Sequence, residues 1–220
     1  ISPLAIQGPK SELLASRLFG SKITNLKLFD IESFNFAGEQ LLIAKSGYSK
    51  QGGYEIYVNG PKIAIKLWDA LFEEGKTFNV RAGCPNLIER IEGGLSYGND
   101  MTIENTPFEC GLGKFLQDKI PNECISARAL NSDKIRDPKK IIRSISIDYK
   151  EKIYCESIWK VVDEKNNYVG QITSGAFSPD FNKIVALGMI NKDCASNKNR
   201  LFTLINGKKY LTHIHEKPFI

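Results

Sequence analysis

Hydrophobic and polar positions follow two different periods along this 220-residue chain, and the change of period divides it. In the first part, Leu13, Leu14 and Leu18 fall on one helical face after Gly8-Pro9, which predicts a helix closed by Gly20. Phe34 to Phe36 and Leu41 to Lys45 read as strands around Gly38-Glu39, and Tyr54 to Val58 reads as another. Asn59-Gly60-Pro61 opens a second helix with Ile63, Ala64, Leu67, Trp68 and Leu71 facing inward, and Gly75 ends it. Thr77 to Val80 reads as a short strand. Cys84-Pro85 then opens a third helix that carries Arg90 and stops at Gly93-Gly94. Helices interleaved with mainly antiparallel strands make this part an α+β layer.

From residue 141 onward the pattern is that of strands. Ile141 to Ile147, Cys155 to Val162, Tyr168 to Thr173, Lys183 to Ile190, Leu201 to Ile205 and Tyr210 to His213 are the expected strands. Asn206-Gly207 between two of them is a type I′ hairpin signal, and Asp163 to Asn167 supplies another turn. Short strands at this spacing predict a small β-barrel or sandwich.

Composition narrows the class. Hydrophobic content of 42% and charged content of 25% are ordinary for a globular protein, and the length suffices for two domains. The longest apolar runs fall far short of a membrane span and no secretory signal opens the chain, so no membrane association and a cytoplasmic location are expected. The net charge of +5 is spread out, apart from Lys134, Arg136, Lys139, Lys140 and Arg143 around Asp137-Pro138. That cluster reads as an interdomain connector; no aromatic interleaving points to nucleic acid. Five widely spaced cysteines, with no Cys-x-x-Cys pair, read as buried free thiols in a reducing compartment. His213 and His215 share one strand face without an evident third ligand, so no metal is expected.

The candidate chemistry lies between residues 46 and 58. A glycine-rich turn, Ser46-Gly47-Tyr48-Ser49-Lys50-Gln51-Gly52-Gly53, is flanked by Tyr48, Tyr54 and Tyr57, and Glu55 sits inside the following strand. Strands disfavour Glu, and a buried carboxylate is costly unless hydrogen-bonded. Ringed by aromatics, it suits a flat heterocycle with adjacent N–H donors. An exposed Glu on a half-buried hairpin suits the same residues.

This segment resembles the strand-turn-strand signature of the glycine-cleavage T-protein superfamily, a group of tetrahydrofolate-dependent enzymes. Further blocks match in order: Leu4 to Lys10; Leu87 to Leu95 with Tyr97 to Met101; Thr106 to Gly113; and Val169 to Gly175 with Phe177-Ser178-Pro179. Ordered matches across most of the chain weigh more than one short motif. Within the superfamily, Ser49 to Gly53 and Cys84 to Arg90 resemble the dimethylsulfoniopropionate demethylase branch. The resemblance implies residues 1–130 as the C-terminal part of a tetrahydrofolate-binding domain and 141–220 as a C-terminal β-barrel domain. Because the chain opens on Ile1 and the block Leu4 to Lys10 lies well inside the sequences it resembles, it is expected to begin within a longer protein. The acidic catalytic residue of T-proteins would then lie upstream, and the 220 residues alone would not turn over substrate.

The resemblance also assigns roles. Glu55 would accept the paired N–H donors of the pterin, with Arg90 and Tyr57 as further cofactor contacts. Arg90 has a structural alternative, a buried pair with Glu55 or Glu92, and Glu92 is read as structural. Tyr48, Tyr57 and Lys50 would bind the small-molecule substrate, the tyrosines through their faces toward a sulfonium cation. Lys50 and the mild positive charge would favour a substrate carboxylate or a polyglutamylated folate tail. One residue fewer than the family spacing lies between Glu92 and Tyr97, so Tyr97 and Asp100 receive no role. The implied reaction is demethylation of dimethylsulfoniopropionate to methylmercaptopropionate and 5-methyltetrahydrofolate. The alternatives are an aminomethyltransferase served by a lipoyl carrier protein, and a non-catalytic folate-binding module. Aminomethyltransferases usually carry acidic residues where this turn has Lys50-Gln51.

Overall fold

Leu4 and Ile6 alternate with Pro3, Ala5 and Gln7, and this short run forms β1 (Ser2–Gln7), a strand the pattern above did not single out. In the computed structural model, which describes residues 1–84, 86–196 and 198–220, the chain packs as two units, Ile1–Pro85 and Asn86–Ile220. The first unit continues with α1 (Ser11–Phe19), β2 (Ile31–Phe36), β3 (Glu39–Ala44), β4 (Gly53–Val58) and α2 (Pro61–Gly75). The strands form one antiparallel sheet in the order β1-β4-β3-β2.

One face of that sheet is the core. Ile6, Phe34, Leu41, Ile43, Tyr54, Ile56 and Val58 pack against Leu14, Ala15, Ile63, Leu67 and Leu71 of the two helices. Ile43, Ile56 and Leu67 are wholly buried, each contributing about 1.5–3 kcal/mol. Pro61 occupies the first turn of α2, where its missing N–H costs nothing. Two helical positions differ from expectation: Leu13 is 56% exposed and Trp68 is 43% exposed, the latter resting on Phe72 at 4.8 Å between ring centroids. Thr77 to Val80 is not a strand. Lys76–Phe78 is a 3-10 turn ended by Asn79 in the left-handed region (φ 61°). Val80 then folds back so closely that a β-carbon on Gly75 would lie 2.4 Å from its Cγ2.

The second unit opens with α3 (Leu87–Glu92), capped by Asn86, whose Oδ1 accepts from the Glu89 N–H at 2.9 Å. Pro85, expected at the helix opening, lies outside the described residues. Short helices α4 (Ala127–Leu130) and α5 (Asp133–Arg136) interrupt a largely irregular stretch. The basic cluster is folded into this unit: Arg136 donates to Gln117 O, Arg143 to Ala195 O, and Lys192 pairs with Asp137.

Strands β5 (Lys140–Ile147), β6 (Trp159–Val162), β7 (Tyr168–Ser178), β8 (Lys183–Asn191), β9 (Leu201–Ile205) and β10 (Lys208–His215) close a barrel in the order β10-β5-β8-β7-β6-β9. Its core includes Ile145, Ile147, Trp159, Ile172, Ile184, Ile190 and Leu201. At Asn206-Gly207 both residues have positive φ (50° and 76°), as a type I′ turn requires. Helix α3 lies against the barrel through Ile91, which packs with Ala176, Val185 and Leu187.

β10 carries the two histidines. His213 Nε2 lies 3.0 Å from Asp148, and His215 Nε2 lies 2.9 Å from Ser146 Oγ. Burial first, then His213 and Lys183, hold the His215 pKa below the usual 6.5. The unfolded chain therefore takes up this proton more readily than the folded one. The stability contribution is present above about pH 6.5 and is lost as pH falls toward the folded value. Glu92, raised by burial, acts in the opposite sense. Chemical denaturation from pH 7.5 to 5 should show the His215→Asn protein losing less stability over that range than the parent; parallel curves would remove His215 from the account.

Candidate functional site

β4 lies between β1 and β3, so its residues have neighbours on both sides. Tyr54, Ile56 and Val58 point into the core, while Glu55 and Tyr57 stand half-buried on the other face. Tyr54 thus leaves the expected aromatic ring around Glu55. Its hydroxyl lies 3.4 Å from Ile23 O and 3.5 Å from Glu12 Oε2, and burial raises its pKa. The neighbours of Glu55 across the sheet are Ala5 and Ala44, and those of Tyr57 are Pro3 and Leu42. Two methyl side chains leave lateral space beside the carboxylate, with Tyr57 two residues along on the same face.

The turn before β4 is tied to Glu55 by residues given no role in the sequence reading. Ser46 Oγ donates to Glu55 Oε2. Gln7 at the end of β1 donates through Nε2 to Ser46 O at 3.0 Å, and its Oε1 accepts from Ser49 Oγ at 2.9 Å. The Gln51 N–H donates to Ser49 Oγ at 3.2 Å, and Gly8 N donates to Gly52 O at 3.0 Å. Only glycine fits around Gln7: a β-carbon on Gly47 would lie 1.9 Å from Gln7 Oε1, and one on Gly53 2.2 Å from Ile6 O. The signal available in the sequence was the pair of glycines bracketing the turn, which marks a close backbone approach. Tyr48 is 40% exposed, and Lys50 is exposed with a left-handed backbone (φ 55°). Glu55, Tyr57, Tyr48 and Lys50 therefore belong to one strand and its preceding turn, whereas Arg90 belongs to the second unit.

A cavity of about 640 Å³ also lies in the first unit, along the outer edge of β1, lined by Leu4, Leu14, Trp68, Phe72, Val80 and Arg81 among others. No carboxylate lines it, and neither do Tyr48, Lys50 or Tyr57.

Comparison with known proteins decides the family. Residues 1–119 match the GCVT N-terminal domain and residues 143–220 the glycine cleavage T-protein C-terminal barrel domain. The chain belongs to the glycine cleavage T-protein family. Dimethylsulfoniopropionate demethylase DmdA of Ruegeria pomeroyi is 46% identical over 193 residues, 87% of this chain and 52% of that protein. An aminomethyltransferase of Porphyromonas gingivalis is 28% identical over 226 residues, 100% of this chain and 61% of that protein. The crystal structure of glycine cleavage system aminomethyltransferase T from Bartonella henselae shares the fold, with a TM-score of 0.76 at 24% identity over 99% of this chain and 59% of its own. The chain thus spans between half and two thirds of the length of these relatives.

In this T-protein-family chain Arg90 is a structural hub. It is 8% exposed, and its Nη1 donates to Asp100 Oδ2 at 2.8 Å and to Leu95 O at 2.7 Å, while Nη2 donates to Ser174 Oγ at 2.8 Å. Asp100 also accepts from Tyr97 N at 2.9 Å and from Thr173 Oγ1 at 2.5 Å. The carboxylate that Arg90 meets is thus Asp100, where the sequence reading offered Glu55 or Glu92; the shortened spacing after Glu92 had left Asp100 without a role. Glu92 is buried and accepts from Ser178 Oγ at 2.6 Å.

The expectation of buried thiols also needs correction. Cys84 and Cys124 are exposed and Cys110 is buried; burial pushes the half-buried Cys155 thiol up to about 11, so it stays protonated at neutral pH. Among the described residues no helix is long and apolar enough to cross a membrane.

Removing one member of a buried pair leaves the other charge uncompensated. Arg90→Ala should destabilise the second unit by about 3–5 kcal/mol, and Arg90→Met with Asp100→Leu should recover a large part of it. Urea unfolding followed through the Trp159 environment reads both; equal losses in the single and double variants would refute the pairing.

Proposed function

We propose that the protein carrying this chain transfers a methyl group from dimethylsulfoniopropionate to tetrahydrofolate, giving methylmercaptopropionate and 5-methyltetrahydrofolate. Glu55 carries the reading: a carboxylate fixed on a strand, half-buried, between two alanines. The pterin presents a ring N–H beside an exocyclic amine, and one carboxylate accepts both in a forked pair. The alanines leave room for the flat ring, so these residues fit the group. When bound, tetrahydrofolate supplies the methyl-accepting nitrogen N5.

The chain's own residues bind and orient. Glu55 sets the angle of the pterin edge, and Tyr57 lies beside it on the same face. Tyr48 and Tyr57 offer ring faces to a sulfonium cation, which aromatic quadrupoles attract. Lys50, on the turn, serves the substrate carboxylate or the folate tail. The sulfonium leaves as a neutral thioether, so none of these side chains has to protonate it. Their contribution is alignment and exclusion of water. Arg90 is left out of the proposed contacts because its guanidinium is committed to Asp100, Leu95 and Ser174. Residues 1–130 are assigned to the folate-binding domain and 141–220 to the barrel domain.

The 46% identity to a protein named as a dimethylsulfoniopropionate demethylase supports this substrate. A second reading, aminomethyl transfer from a lipoyl carrier protein, has support in the relatives named as aminomethyltransferases. Lys50-Gln51 in the turn weighs against it, since those enzymes usually carry acidic residues there.

Offered dimethylsulfoniopropionate, glycine betaine and an aminomethyl-lipoyl carrier protein in competition with tetrahydrofolate, the whole protein should methylate folate from the sulfonium alone. Methylenetetrahydrofolate from the carrier with no product from the sulfonium would transfer the protein to the second reading. Glu55→Gln replaces one acceptor by an unwanted donor. It should weaken tetrahydrofolate binding by about 1.5–3 kcal/mol, roughly ten- to a hundredfold, without loss of fold. Unchanged affinity by calorimetry would return Glu55 to the role of a strand residue.

A further inference from the structure

We infer that Ser46 is a positioning residue for Glu55 and that Gln7 holds Ser46 in place, an inference that rests on the folate reading of Glu55. A glutamate whose cross-strand neighbours are both alanines has three rotatable bonds and little lateral packing to pin it. Fixing such a side chain at the moment of binding subtracts from affinity. Here one carboxylate oxygen, Oε2, is already engaged by the Ser46 hydroxyl. A donor on that oxygen sets the plane of the carboxylate before a ligand arrives, which is preorganisation by a supporting hydrogen bond.

Ser46 can do this only if its own backbone is held. Its carbonyl accepts from Gln7 Nε2 at 3.0 Å, and Gln7 is held in turn by Ser49 Oγ at 2.9 Å. The result is a continuous chain of donors and acceptors from the Gln51 N–H through Ser49, Gln7 and Ser46 to Glu55. Gly47 and Gly53 admit the Gln7 amide against the turn, since a β-carbon at either would lie within 2.4 Å of it. Ser49 is 7% exposed, so the relay is sheltered from competing water at that link. The turn that carries Tyr48 and Lys50 is thereby coupled to the carboxylate on β4.

Calorimetric titration of the whole protein with tetrahydrofolate tests this. Ser46→Ala should weaken binding about two- to tenfold, the size of one hydrogen bond's net worth, and Ser46→Thr, which keeps the hydroxyl, should restore it. Gln7→Leu should weaken binding in the same direction. The decisive readout is the double variant: with Glu55→Gln in place, Ser46→Ala should cause no further loss, because the group it positions is gone. Para-aminobenzoylglutamate, which lacks the pterin, should bind the parent and Ser46→Ala equally. Losses that add fully in the double variant, or a Ser46→Ala protein with parental affinity while Glu55→Gln is weakened, would overturn the positioning role and leave the folate reading standing. Parental affinity in Glu55→Gln itself would overturn the folate reading, and this inference with it.

Discussion

Antiparallel pairing of β4 with β1 on one side and β3 on the other is the constraint on which the candidate site depends. Side chains along a strand alternate between faces, so burying Tyr54, Ile56 and Val58 leaves Glu55 and Tyr57 on the other face. A register slip of one residue would drive the Glu55 carboxylate into the apolar core and expose Ile56. An ionised carboxylate without a partner is far too costly there. The hydrophobic core therefore specifies the functional face indirectly, by excluding every other register. The same pairing sets Ala5 and Ala44 beside Glu55, so the space around the carboxylate is decided by residues 50 and 11 positions away in the chain.

Much of this could be read from the sequence wherever a local pattern had a local cause. Barrel strands were legible where an apolar run is bounded by a turn of known chemistry, as at Asn206-Gly207, whereas the expected strand from Cys155 begins only at Trp159. Glu55 was legible as a candidate because a carboxylate in an apolar strand needs an explanation. What escaped was decided by contacts distant in sequence. Gln7 gains its meaning only when the end of β1 meets the turn at residues 46–53. Thr77 to Val80 has the β-branched and aromatic residues of a strand, yet packing of Val80 against Gly75 overrides that preference. Tyr54 counted as a site aromatic by proximity along the chain, and strand parity places it in the core instead.

The second unit solves a different problem. Residues 93–126 contain little regular structure, and their backbone groups need partners that helices or sheets would otherwise supply. Arg90 meets part of that need because a guanidinium presents several donors in a rigid fork. One side chain reaches three partners together: the Leu95 carbonyl, the Asp100 carboxylate and the Ser174 hydroxyl. Asp100 in turn receives Tyr97 N and Thr173 Oγ1, which ties the loop after α3 to the barrel strand β7. Lysine could carry the charge there but could not span that geometry. Such a network adds little net stability over an apolar core; its effect is to give irregular chain a single arrangement.

The two units thus use polar side chains to different ends, and the contrast bears on substrate choice. In the first unit the carboxylate sits on a strand whose position is over-determined by the core, while Tyr48 and Lys50 sit on the turn that precedes it. Strands tolerate few changes of backbone, whereas turns accept new side chains readily. A cofactor contact belongs on the first and a specificity contact on the second. On the proposed reading of Glu55, side chains in the turn can change while the carboxylate on the strand stays in place. The charge that Lys50-Gln51 gives the turn is independent of the register that fixes Glu55. The coupling through Gln7 and Ser46 limits that freedom to side chains pointing away from the anchor, since a β-carbon at Gly47 or Gly53 would dislodge it.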